Sequence, residues 1–196
     1  WIATRSAIQT LDTTRQTLST PSELKNLEDD ITGFEIDSAG RLWLGLAGKI
    51  AVYRPETSQI FSFELPQSQF PDSARVVDFA VDGDKLYALI NKAGIFEVKW
   101  MNQRPVFENA SSSLELQDTD LFKVVKNKEE LWIATLGSGV FIVNKKTSET
   151  RRILAGPATE DLPSNTVYEI FHDGQVTWIG TGKGLAVTAD KGRTFQ

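Results

Sequence analysis

The sequence predicts an all-β protein, a β-propeller of four-stranded antiparallel blades with about five blades represented, and three observations carry that reading. A large aromatic recurs along the chain (Trp1, Trp43, Tyr87, Trp132, Trp178) after 42, 44, 45 and 46 residues. The opening tetrapeptide Trp-Ile-Ala-Thr returns unchanged at 132–135. Between the aromatics, short apolar segments alternate with polar turns, a period that suits blades. A lone four-stranded sheet cannot bury both faces, so such units stack around a shared axis. The alternative, a β-sandwich with coincidental aromatic spacing, does not account for the regular period.

Each unit has the same order of elements. An apolar segment comes first (31–36, 76–81, 121–125, 167–171) and predicts the inner strand. A tight polar turn follows: Asp-Ser-Ala-Gly-Arg from Asp37, Asp-Gly-Asp-Lys from Asp82, Asn-Lys-Glu-Glu from Asn127, His-Asp-Gly-Gln from His172. Asp-Gly between apolar runs marks a hairpin, because glycine accepts the positive φ that such turns need. The aromatic strand is next, then a turn carrying Gly48, Gly94, Gly137 with Gly139, or Gly182 with Gly184. A third strand alternates apolar and polar residues, as in 50–54 and 140–144, and a fourth such as 60–64 or 151–154 closes the unit. The blades of this single module are expected at residues 1–20 (partial), 29–66, 74–109, 119–155 and 165–196. Because the chain opens on an aromatic strand, the first blade is expected to lack its inner strand, within a larger propeller. One helix is expected, about two turns in residues 21–30 with Ser22 as N-cap and Leu24 and Leu27 on its apolar side.

Composition removes several function classes. A net charge of -5 with scattered Lys and Arg argues against a nucleic-acid partner. With no cysteine and one histidine, neither thiolate chemistry nor a transition-metal site is expected, and no cofactor is implied. His172, beside Asp173, is expected to be a solvated turn residue and not a triad member. The acidic groups Glu28-Asp29-Asp30, Asp82-Gly83-Asp84 and Asp118 with Asp120 do not fit a calcium loop, and Gly182-Lys183-Gly184 lacks phosphate-loop spacing. No apolar run is long enough for a membrane span, and the first ten residues carry no targeting signal. Trp43, Trp132 and Trp178 are expected between sheets. Trp100 lies off the repeat register, which predicts packing at a blade edge, with a partner contact as the alternative.

Loops on a rigid scaffold carry binding residues disproportionately. Loops entering the inner strands and loops between second and third strands share one rim. That rim nominates Asp30, Arg75, Asp120 and Asn165, with Lys49, Lys92, Ser138 and Lys183 on the neighbouring hairpins, as binding residues for a small-molecule, glycan or protein ligand. No catalytic residue is nominated. The alternative is a propeller-type glycoside hydrolase or lyase using the carboxylates of Asp30, Asp120 and Glu169.

Within residues 161–187, Leu162, Pro163, Ser164, Asn165, Val167, Ile170, Asp173, Gly174, Trp178, Ile179, Gly180, Thr181, Gly184 and Leu185 fall on one pattern. The stretch resembles the two-component regulator propeller repeat. Earlier copies depart from it, with Leu46 in place of Thr and Tyr87 in place of Trp. Thr188, Asp190, Gly192, Thr194 and Phe195 resemble an Asp-box, the structural hairpin of sialidase-like and sortilin-like propellers. That resemblance implies that Asp190 accepts turn amide hydrogens and Phe195 packs inward. The arginine triad of a sialidase is not recognisable. Together the resemblances imply a non-catalytic sensing or binding region of a bacterial signalling or secreted protein, periplasmic or extracellular, with no kinase or cyclase in these residues.

Overall fold

The computed structural model describes residues 1–25, 27 and 29–196, and of Asp118 only the backbone. Among them five antiparallel sheets follow one another, each with its strands adjacent in chain order, and the fold is the all-β propeller predicted by the repeat. Blade 1 holds β1 (Ile2–Thr4), β2 (Ala7–Asp12) and β3 (Thr17–Ser19). Blade 2 holds β4 (Gly33–Ile36), β5 (Leu42–Gly45), β6 (Lys49–Arg54) and β7 (Gln59–Glu64). Blade 3 holds β8 (Val76–Asp82), β9 (Lys85–Ile90), β10 (Gly94–Met101) and β11 (Arg104–Asn109). Blade 4 holds β12 (Leu121–Asn127), β13 (Glu130–Thr135), β14 (Val140–Asn144) and β15 (Thr150–Ile153). Blade 5 holds β16 (Val167–His172), β17 (Thr177–Thr181) and β18 (Gly184–Thr188). Val187 and Gln196 exchange two backbone hydrogen bonds of 3.0 Å beside β18.

Side chains alternate across each sheet, so every blade offers an apolar face to each neighbour. Four buried clusters result, one per junction. Trp43 packs with Val76, Phe79 and Ala88 of blade 3, Tyr87 with Leu121 and Val124 of blade 4, and Trp132 with Ile170 and Ile179 of blade 5. Blades 2 and 3 come close where glycine allows it. A Cβ on Gly33 would lie 3.0 Å from the Asp78 Cα, and one on Gly45 would lie 2.8 Å from the Val76 carbonyl oxygen. The inner strand of blade 2 begins at Gly33, two residues later than expected, because Ile31 donates its amide to the Arg5 carbonyl of blade 1 at 2.7 Å.

The expected helix at 21–30 is a single 3-10 turn, Ser22–Leu24. Ser22 is not its cap; the preceding residue is Pro21, and the Ser22 hydroxyl donates to Glu23 at 2.8 Å. Leu24 is buried and Leu27 packs against the same cluster, so tertiary packing outweighs helix propensity here. Asn26 and Glu28 lie outside the described residues. A second 3-10 turn, Leu114–Asp118, joins blades 3 and 4 and is capped by Ser113, whose hydroxyl accepts from the Glu115 amide at 3.3 Å.

Trp100 serves packing. Its ring meets Trp43 edge-on at 5.8 Å and Phe63 at 5.6 Å, with the guanidinium groups of Arg41 and Arg54 over it at 5.4 and 5.6 Å. These cations explain why an off-register tryptophan is tolerated at the outer edge of the blade 2–3 junction.

The hairpin after β18 is built around one carboxylate. Asp190 Oδ1 accepts from the Thr188 hydroxyl at 2.8 Å and from the amides of Arg193 and Thr194 at 2.9 and 3.0 Å; Oδ2 accepts from the Thr194 hydroxyl at 2.8 Å. Hydrogen bonds from Thr194, backbone and hydroxyl, lead the causes that hold this carboxyl far below the usual carboxylate range. Phe195 is buried in the blade 4–5 cluster. Asp190→Ala is expected to lower the melting temperature and speed amide exchange over 192–196; an unchanged melt and unchanged exchange would show that the hairpin does not hold Phe195 in place.

Candidate functional site

Three of the four complete inner strands carry a β-bulge at the same place. The register slips between Val76 and Asp78, between Leu121 and Lys123, and between Val167 and Glu169. The extra residues, Val77, Phe122 and Tyr168, therefore leave the ladder, as bulged residues do. Phe122 and Tyr168 are exposed, and their rings meet edge-on at 6.2 Å. Rim positions that sequence reasoning missed are thus aromatic. The available signal was a recurring pattern of two apolar residues, a charge and another apolar residue: Val76-Val77-Asp78-Phe79, Leu121-Phe122-Lys123-Val124, Val167-Tyr168-Glu169-Ile170.

A groove of about 920 Å³ opens on this rim, lined by residues of blades 1 to 4. Asp30, Arg75 and Asp120 all line it, together with Arg5, Phe122 and Leu136. Asp30 accepts from the Arg5 guanidinium at 2.5 Å, so that end is neutralised. Arg75 is held by its backbone: its amide donates to Asn91 Oδ1 at 2.7 Å, and its carbonyl accepts from the Asn91 amide at 3.1 Å. The Asp120 carbonyl accepts from the Leu136 amide at 2.9 Å. Among the described residues, neither the Arg75 guanidinium nor the Asp120 carboxylate has a hydrogen bond or ion pair. Phe122 and Leu136 expose apolar surface beside them. Two anchored backbones thus present opposite, exposed charges in a groove that Phe122 and Leu136 also line.

The other nominated residues are not brought into this groove. Asn165 ties blade 4 to the segment before blade 5: its Oδ1 accepts from the Ala155 amide at 2.7 Å and its carbonyl from the amides of Gly137 and Gly139 at 3.1 and 2.8 Å. Lys49 pairs with Asp29 at 2.5 Å. Lys92 reaches the Ser73 hydroxyl at 3.4 Å beside a separate hollow of about 330 Å³. The Ser138 carbonyl accepts from Arg152 Nε at 2.8 Å, and its amide donates to the Thr135 hydroxyl at 3.0 Å. Lys183 is an exposed hairpin residue whose amide donates to the Thr181 hydroxyl at 3.2 Å.

Glu169 lies elsewhere, in a channel of about 500 Å³ between the inner strands, where it pairs with Lys123 at 2.7 Å. Of the three carboxylates nominated for hydrolysis, Asp30 and Asp120 line the groove and Glu169 does not. Asp78 lines the same channel and accepts from the Val124 amide of the next blade at 2.9 Å. Burial pushes its carboxyl up to about 6, opposed by the Val124 and Phe79 amides and by Lys123, and assisted by Glu35.

His172 is not the solvated turn residue expected of it. It ends β16, shares a hydrogen bond with the Thr177 hydroxyl at 2.8 Å through Nδ1, and meets Trp132 edge-on at 5.2 Å. Its Nε2 is buried without a partner, and burial holds its pKa below the ordinary value against the pull of Glu130. Packing under the blade 4–5 junction, not solvation, sets its surroundings. Among the described residues, no group of three His, Cys, Asp or Glu is arranged to hold a metal ion, and no helix is long and apolar enough to cross a membrane.

Neither family models nor curated proteins match this chain. Solved structures do. BamB from Moraxella catarrhalis is 20% identical with a TM-score of 0.56, over 86% of this chain and 50% of that one. The β-propeller domain of Cps50 (Swd1) from Myceliophteria thermophila is 10% identical with a TM-score of 0.65, over 92% and 58%. The computationally designed Ika4 protein is 14% identical with a TM-score of 0.62, over 85% and 94%. Likeness at these identities shows the fold alone, and the class of protein is a β-propeller. The chain spans half the length of BamB and little more than half of the Swd1 domain.

Proposed function

We propose that the chain is a non-catalytic binding module whose rim groove holds an extended peptide segment of a partner protein. The observation that carries this is the unpartnered pair of Arg75 and Asp120 beside exposed Phe122 and Leu136. A guanidinium takes a carboxylate through two parallel hydrogen bonds, Asp120 accepts peptide or ammonium N–H groups, and the apolar floor seats a neighbouring aliphatic side chain. The opposite charges of Arg75 and Asp120 favour a segment carrying both signs over a polyanion. Asp30 and Asp120 share the groove, but Asp30 is engaged by Arg5 and Glu169 stands in the channel with Lys123, which favours binding over hydrolysis.

Binding of the chain to an array of peptides that carry an acidic, a basic and an aliphatic residue, followed by fluorescence anisotropy on the hits, tests this. Arg75→Ala is expected to weaken binding about tenfold or more, the scale of a lost charge-assisted hydrogen bond, while Lys183→Ala leaves it unchanged. Hits that bind Arg75→Ala as tightly as the native chain would remove the groove from the function. A role in a bacterial signalling or secreted protein, periplasmic or extracellular, is proposed from the resemblance of residues 161–187 alone. Cell fractionation with an antibody to this chain tests it; a cytosolic location overturns that setting without touching the groove.

A further inference from the structure

Phe122 and Tyr168 hold the same place in successive blades, each the second residue of its inner strand and each freed from the ladder by a bulge. The two rings meet across the blade 4–5 junction with 6.2 Å between centroids and 81° between planes. Tyr168 thus turns toward blade 4, its neighbour earlier in the chain. The rings nonetheless stay 42 and 51% exposed. Aromatic pairs in this edge-on geometry are common in cores, where both faces are covered. Here two ring faces stand nearly at right angles and bound an open corner on the rim.

Such a corner is apolar in composition, yet its ring faces carry negative potential and attract cations. The charges around it have the sign to match. Asp120 directly precedes β12, lines the groove together with Phe122, and is exposed. The Leu136 amide at 2.9 Å fixes its carbonyl, and among the described residues its carboxylate has no hydrogen bond or ion pair. The cation next along the strand, Lys123, is taken by Glu169 at 2.7 Å. Of the two guanidinium groups in the groove, that of Arg5 is paired with Asp30, and that of Arg75 belongs to the loop before blade 3. Within the groove, the unpaired negative charge therefore lies at blade 4 and the unpaired positive charge at blade 3.

We propose that the corner formed by Asp120 and the rings of Phe122 and Tyr168 takes a basic side chain of the bound segment. This rests on the reading of the groove as a peptide site and adds an order to it: the acidic residue of the segment goes to Arg75 at blade 3, the basic residue to blades 4 and 5. The ring faces attract the cation, and the carboxylate supplies its counter-charge. A segment laid the other way round brings its cation to Arg75 and its carboxylate to Asp120, two like-charge contacts. The rim therefore selects against the reversed arrangement as well as for the correct one.

Fluorescence anisotropy with lysine-containing peptides that bind through Arg75 tests this. Replacing the lysine by norleucine, which keeps the aliphatic stem and drops the charge, is expected to weaken binding about tenfold. Phe122→Leu and Tyr168→Leu keep apolar bulk without a π face, both at exposed positions where native circular dichroism is expected. Each is expected to weaken the lysine peptide about fivefold more than its norleucine counterpart. Equal affinities of the native chain for the two peptides overturn the proposal. So do variants that weaken both peptides alike, since the corner is then apolar contact only. Tetramethylammonium chloride probes the corner with no peptide present: the ring resonances of Phe122 and Tyr168 are expected to shift on titration, and the Tyr168 shift to shrink in Phe122→Leu. Rings that do not shift also overturn it. If no peptide depends on Arg75 yet the rings shift, the groove reading falls and the corner stands as a cation site.

Discussion

Trp132→Ala is expected to lower the unfolding free energy by about 4 kcal/mol, within the range for deleting a buried aromatic. The side chain is fully buried at the blade 4–5 junction, its indole N–H donates to Glu130 at 3.0 Å, and the Arg151 guanidinium sits 5.8 Å above the ring. Removing it opens a cavity among Ile153, Ile170, Ile179 and Phe195, and leaves the edge of His172 without its partner. Trp178→Ala at the same repeat position is the internal control. That ring is 38% exposed, so its loss costs about 1 kcal/mol. Urea titrations measure both. Equal losses for Trp132 and Trp178 would mean that junction packing does not order the stability of the repeat.

Asp78→Asn is expected to stabilise the protein at pH 7.5 by up to about 3 kcal/mol and to have little effect at pH 4. The carboxyl titrates at about 6 when folded against an ordinary value of 3.8. The folded state thus binds its proton more tightly, and the stability associated with the neutral form is complete below pH 3.8 and lost as pH rises through 6. Asparagine keeps an acceptor for the Val124 amide and never carries the buried charge. The channel admits some solvent, which is why the figure is a ceiling. Around Asp78 the charged groups lining the channel are Glu35 on β4, Lys123 and Lys126 on β12 and Glu169 on β16, so the difference between native and variant curves, not either curve alone, isolates it. Asp82, Asp173 and Asp190 shift the opposite way and weaken the protein as pH falls. Parallel native and Asp78→Asn curves from pH 4 to 8 would contradict a buried, proton-binding Asp78.

The strands and junctions were legible because burial repeats with the chain. Trp43, Tyr87 and Trp132 occupy one ladder position in successive blades, and each meets the next sheet. Three rim residues, Asp30, Arg75 and Asp120, could be nominated because repeat position fixes which loop they occupy. Position alone did not decide what a side chain does there. Asn165 occupies a comparable loop, yet the approach of Leu162 to Ala155 draws its carboxamide into a backbone hydrogen bond. Glu169 looked like a rim carboxylate, but the bulge at Tyr168 sets it into the channel beside Lys123. His172 follows an apolar strand and precedes Asp-Gly, which signals a turn; nothing local announces that Trp132, forty residues earlier, covers it. Long-range packing of this kind leaves no local pattern.

The bulges have a consequence for how such a protein changes over time. Val77, Phe122 and Tyr168 stand outside the ladder, whereas Val76, Leu121 and Val167 next to them are buried at junctions. Blades 4 and 5 therefore each carry one exposed side chain, Phe122 and Tyr168, that stands apart from the packing that keeps the blades together, whereas Val77 still packs against its junction. Substitutions at Phe122 and Tyr168 alter the exposed surface while the junction packing is spared. At these two positions the surface can diversify without the architecture being rebuilt.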